Sequence, residues 1–227
     1  EIPVAIRKAV AALEAGGTVA VADVSNSLAA VGPLKESSLH ALVLHEILGF
    51  DPAKASALFE QTKTMRSAAN AKPGPRVSIE LAAHAPHSIS RELFELLMTH
   101  GGVRSIHVAE SRSEDDFLRD GRGDWREFLD SRVGPVPFSA PGISPVRYLD
   151  ELGVLVPGLL AVHCVRVGEA DAKLLAERGA VAGRLEVRHP APHGGQSRRS
   201  GRIHVAGRQL RSTAARSTPG RARCSRA

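Results

Sequence analysis

Ser105-Ile106-His107-Val108-Ala109-Glu110-Ser111 decides how this chain folds. An apolar run delivers a histidine, and a carboxylate follows three residues later. Leu159-Leu160-Ala161-Val162-His163-Cys164-Val165 repeats the design. Both runs have the length and the β-branched content of short buried strands that present a polar group at or near the C-terminal end.

Outward from this pair the same grammar recurs. Residues 2–15 have helical spacing, with Ile2, Ile6, Val10 and Leu13 near one face, and Gly16-Gly17 stops them. Residues 18–22 read as a buried strand running into Asp23-Val24-Ser25-Asn26, and a short helical piece is expected within 28–36. The apolar run 39–48 carries His45 and Glu46 near its end. Asp51-Pro52 starts a helix to about residue 69, an N-cap followed by proline at the first helical position. Residues 76–83 form a strand ending in Ala83-His84-Ala85-Pro86-His87, and Ser90 caps a helix through Met98. The charged stretch 111–132 reads as partly helical solvated surface anchored by Trp125. Ser144-Pro145 opens another helix, 169–178 a further one, and residues 180–182 begin a last strand.

Helix, glycine stop, apolar strand and polar loop therefore alternate, which argues for βα units and a parallel sheet. Polar groups gather where strands end. That is the active-site face of a (β/α)₈ barrel and also of an open doubly wound sheet. No Gly-x-Gly-x-x-Gly follows any strand and no phosphate loop occurs, so the barrel is the better expectation.

Composition narrows the classes. In 227 residues no apolar run reaches the roughly 18 of a membrane span, and no signal peptide opens the chain. Cys164 and Cys224 fit no disulfide or metal framework, so a reducing, cytoplasmic setting is expected. The net charge of +6 is uneven. Residues 183–227 hold eleven Arg, no Lys, no Asp and the single acid Glu186, a balance of +10, which leaves residues 1–182 at −4. Two domains are expected on that basis: a body at 1–182, and a basic low-complexity tail at 183–227 that is disordered or an out-of-frame translation of GC-rich DNA. The tail supplies a reading from another class, a non-catalytic protein that binds nucleic acid through it. It has no aromatic residue to stack a base and no recognisable binding module, which weighs against that reading.

His107 with Glu110 is the sharpest chemical pair. Metal-assisted hydrolysis needs a neutral imidazole ligand and a nearby carboxylate that moves protons from water. Taken singly, His163, His84, His45, Glu46 and Asn26 read as core or turn residues, and Cys164 as a small buried apolar residue. Together they keep one phase, each at the same end of a neighbouring strand.

Ala83-His84-Ala85-Pro86-His87-Ser88-Ile89-Ser90, then His107-Val108-Ala109-Glu110, then Val162-His163-Cys164-Val165, resemble the amidohydrolase superfamily in order and spacing. The nearest branch holds chlorohydrolases, cytosine and guanine deaminases, and methylthioadenosine/S-adenosylhomocysteine deaminases. The resemblance covers residues 1–182. It implies an internal portion of a (β/α)₈ barrel, about strands two to six, of an aminohydrolase acting on a purine-like or other nitrogen heterocycle. It also implies one divalent cation, zinc or iron, with His107 as a ligand. Glu110 would be the general acid/base, and His163 would hydrogen-bond the attacking hydroxide or the tetrahedral intermediate. His84, His87, Glu46 and Asn26 would contact substrate. A small-molecule partner is implied, with no membrane, and a homo-oligomer is left open. This chain departs from the pattern at His87, where the superfamily has a bulky aromatic, most often Tyr. No His-x-His metal pair occurs before residue 84, and no Asp follows Ala182. Inactivity of the chain on its own is therefore expected.

Overall fold

A computed structural model describes residues 2–71 and 74–184, and the backbone of 204–205. Seven strands form one sheet: β1 (Ala20–Ser25), β2 (His40–Ile47), β3 (Val77–Ala83), β4 (Ser105–Val108), β5 (Leu160–His163), β6 (Val181–Arg184) and β7 (His204–Val205). Spatial order equals chain order, and the first six strands run parallel. β7 pairs antiparallel with β6. The five expected strands are present and adjacent as expected, and the strand signalled at residues 180–182 follows as β6. This is a curled half-barrel, part of a (β/α)₈ architecture. The expected boundary after residue 182 falls inside β6. Apart from 183–184 and the backbone of 204–205, the tail lies outside the described residues.

Helices α1 (Ile2–Ala15), α2 (Val31–Glu36), α3 (Ala55–Asn70), α4 (Arg91–Thr99), α5 (Arg112–Asp120), α6 (Asp124–Val133), α7 (Pro145–Glu151) and α8 (Glu169–Glu177) link the strands. Side-chain caps act where the sequence signals them. Ser90 Oγ accepts from the Leu93 amide, Ser144 Oγ from that of Arg147, and Asp51 from that of Ala53. The main core lies between the sheet and α3, α4, α7 and α8, around Leu93, Phe94, Leu97, Ile106, Leu149 and Ala161.

Three expectations change. The strand expected to be buried after Gly17 is not: exposed and half-buried residues alternate along β1, which lies at the open edge of the sheet. Of the apolar face read in α1, Val10 alone is buried, and Ile2 is 69% exposed. The helix sits at the open β1 edge against α2, so its outer residues meet no second layer. The charged stretch after β4 is more than solvated surface. α5 and α6 bury Phe117, Leu118 and Leu129 in a core of their own with Phe50, Val136 and Tyr148.

Candidate active site

Strand register brings the histidines together. Ala83 pairs with Ile106, so His84 lies one step beyond β3 beside His107, whose amide donates to the His84 carbonyl at 2.9 Å. His107 pairs with Val162, and Val108 with His163. The rings form a row, with centroids 5.5 Å apart for His84 and His107 and 5.0 Å for His107 and His163.

Carboxylates flank the row from both sides. His107 Nε2 lies 3.3 Å from Glu46 Oε1, at the end of β2. Asn26 Nδ2, just past β1, donates to both the Glu46 carboxylate and its carbonyl at 3.1 Å. The hydrogen bond from His107, and then that from Asn26, hold the Glu46 carboxyl below the usual range against the opposing effect of burial. His107 Nδ1, on the other side of the ring, is buried and has no hydrogen-bond partner. A carboxylate behind a histidine is the second-shell arrangement that orients metal-binding imidazoles. On the other flank His163 Nε2 lies 3.4 Å from Glu110 Oε2. Burial lowers the His163 pKa, as does nearby His107, while Glu110 opposes the shift.

Ser88 Oγ lies 2.7 Å from His84 Nδ1 and 3.1 Å from the Ala85 carbonyl, which holds the His84 ring in place at the end of β3. Burial lowers the pKa of this ring. His87 packs behind Trp125 of α6, centroids 4.0 Å apart, with 3% exposure and no partner at either nitrogen. Burial, then the neighbouring His84 and His107, bring its pKa down to about 3.

Two strand ends take strained backbone. Ala109 has φ 53°, and His163 and Cys164 have φ 74° and 49°. Left-handed conformations at residues other than glycine cost on the order of 1–2 kcal/mol and concentrate at functional sites. The two turns are joined: the Cys164 amide donates to the Val108 carbonyl, and the Arg166 amide to the Ala109 carbonyl at 2.8 Å. Burial, then the charge of Glu114, pushes the Cys164 thiol up to about 11, which makes it an inert packing residue.

Sequence reasoning missed Ser88 and Glu114. Glu114 is 1% exposed, and its carboxylate accepts from the Ala109 amide at 3.0 Å and the Glu110 amide at 2.9 Å. Its signal was present as Ser111-x-x-Glu114, a capping-box spacing at the start of α5.

Among the described residues no three His, Cys, Asp or Glu side chains converge as a metal-binding set. The residues fit one coordination position, at His107, with its carboxylate support. Surface depressions of about 440, 450 and 430 Å³ are lined by residues other than this row.

Histidines and acids thus gather at the C-terminal ends of adjacent parallel strands of a half-barrel, and the chain resembles the amidohydrolase superfamily. The aminodeoxyfutalosine deaminase of Deinococcus radiodurans is 31% identical over 159 residues, covering 64% of this chain and 38% of that protein. The crystal structure of Helicobacter pylori aminofutalosine deaminase superposes with a TM-score of 0.66 at 23% identity, covering 81% of this chain and 46% of that one. A mutant of the atrazine chlorohydrolase from Arthrobacter aurescens, complexed with zinc and atraton, gives a TM-score of 0.57 at 16% identity over 81% of this chain and 43% of that one. These structural likenesses carry the fold. The chain spans less than half the length of each of these proteins. No protein-family model matches it. Among the described residues no helix is long and apolar enough to cross a membrane.

Proposed function

We propose that this chain is the catalytic-face portion of a metal-dependent aminohydrolase that removes an amino group, as ammonia, from an amidine carbon of a purine-like heterocycle. The observation that carries this reading is the row His84, His107, His163 with Glu110, side by side on adjacent parallel strand ends. The deaminase relative supports the reaction class and the purine-like substrate.

His107 would hold one divalent cation, zinc or iron, with Glu46 and Asn26 keeping the ring in place. The zinc in the related chlorohydrolase structure supports the choice of a divalent cation. When bound, the cation supplies Lewis-acid polarisation and acidifies water to a pKa of about 7. Glu110 takes one proton from the attacking water and delivers it to a ring nitrogen, then takes the second from the hydroxyl of the tetrahedral carbon and passes it to the amino group, which leaves as ammonia as the C–N bond breaks and the product carbonyl forms. His163, held beside Glu110, donates to the oxygen that becomes the product carbonyl. His84 contacts the substrate. His87, Glu46 and Asn26 complete the substrate wall.

The test uses a barrel completed with an upstream His-x-His strand and a downstream Asp-bearing strand. Metal content and ammonia release from 6-aminopurine nucleosides are measured together. His107→Ala should lose metal and activity in parallel. Glu110→Gln should keep metal and lose roughly 10²–10⁴ in turnover, the usual contribution of a general acid/base. A metal-loaded Glu110→Gln protein that turns over like its parent would remove the mechanism.

A further inference from the structure

We infer that Glu114 is a positioning residue for Glu110: its buried carboxylate grips two successive backbone amides and fixes the left-handed turn that carries the acid/base toward His163. The inference rests on the role proposed above for Glu110.

The geometry departs from an ordinary capping box. There the acid at the third helical position returns to the amide of the N-cap residue. Here Ser111 is the N-cap and accepts from the Glu114 amide at 3.2 Å, but the Glu114 carboxylate reaches further back. It takes the amides of Glu110 and Ala109, the two residues before the cap. Ala109 is the residue forced to φ 53°, and Glu110 is the residue aimed at His163 Nε2. A cap made only to start α5 would not need either amide.

Energetics point the same way. A carboxylate buried to 1% exposure is costly unless its lone pairs are satisfied. No cation neutralises Glu114 among the described residues; each oxygen takes one amide. The Ala109 carbonyl is held separately, by the Arg166 amide from beyond β5. Both polar groups of the strained residue are thus clamped, one by Glu114 and one by the next strand's turn. The direction of the Glu110 side chain follows from that clamp, because one rotated peptide at Ala109 would swing it away from the histidine row.

The experiment is done on the full chain by two-dimensional NMR. In the parent, the Ala109 and Glu110 amide protons should shift together with one midpoint, near the value of about 7 to which burial raises the Glu114 carboxyl. The titratable groups facing it are Glu110 on the same turn and the Cys164 thiol from the turn just past β5. Glu114→Gln should abolish the shared titration while keeping one acceptor oxygen, and with it part of the cross-relaxation between Glu110 side-chain protons and the His163 ring. Glu114→Ala should lose that cross-relaxation altogether while the peaks of α4 and α7 stay in place. Amides that ignore pH in the parent, a measurement that needs no variant, overturn the inference. So does Glu110–His163 cross-relaxation that survives intact in Glu114→Ala. Turnover of Glu110→Gln is a separate readout. If it matches its parent, the proposed reaction fails while the clamp measured on the amides still stands.

Discussion

At the scale of single residues, His87 is the one histidine among the described residues with both ring nitrogens buried and unpartnered. It is buried against Trp125 with both nitrogens unpartnered, and its pKa is lowered to about 3 by burial and by its neighbours His84 and His107. An unfolded chain takes up a proton at this position below about pH 6.5, whereas the folded chain resists it until about pH 3. The proton-linked cost of His87 is therefore absent above pH 6.5 and grows as the pH falls toward 3, on top of the pH-independent cost of its two unsatisfied nitrogens. His87→Phe keeps an aromatic ring on Trp125 and removes the two unsatisfied atoms. It should raise the denaturant midpoint, by more at pH 5 than at pH 8, with a gain on the order of 1 kcal/mol at neutral pH. An equal effect at both pH values would mean the ring is open to solvent.

At the scale of elements, the α5–α6 pair shows how a charged sequence builds a core. Phe117 is fully buried, its ring stacked on Phe138 at 4.5 Å and tilted against Phe50 at 5.9 Å. Phe117→Ala should cost about 3–5 kcal/mol, the range for emptying a packed aromatic site. The denaturation free energy of the variant checks it, and a loss below about 1 kcal/mol would show that the pair packs loosely. This element also marks the limit of sequence legibility. The strands were legible from short runs dominated by apolar residues, such as 159–162, and 77–83 with only Ser78 and Glu80 interrupting it. The helix starts were legible because Ser90, Asp51 and Ser144 are cap residues in the right place. His107, Glu110 and His163 were legible from their phase at strand ends. Glu114 was not, because an acid among Arg112, Asp115 and Asp116 has a solvated composition, and only the turn at Ala109 tells which acid faces inward. The exposure of α1 was also illegible, since its spacing gives a face but not whether another layer meets it.

At the scale of the molecule, six parallel strands form half of a barrel, and the chain spans 38% of its deaminase relative. The described residues gather no set of three His, Cys, Asp or Glu ligands, where a zinc site normally takes three or four protein ligands. The chain alone, equilibrated with zinc and desalted, should therefore retain substoichiometric metal by mass spectrometry. Adding the His-x-His and Asp-bearing strands should raise retention to one ion per chain, and full retention by the chain alone would show a ligand set outside the described residues. The sheet's order has a further consequence. Every strand from β2 to β7 lies beside the one that precedes it in sequence. A ribosome releases the N-terminal portion first, at about 5–20 residues per second. Each strand thus emerges when its only upstream partner is already outside, so the sheet can lengthen one unit at a time in step with translation. Synonymous codons that slow elongation between β3 and β4 would leave a sheet whose growing edge is β3, and that edge is where a nascent chain of this protein would be captured by a chaperone.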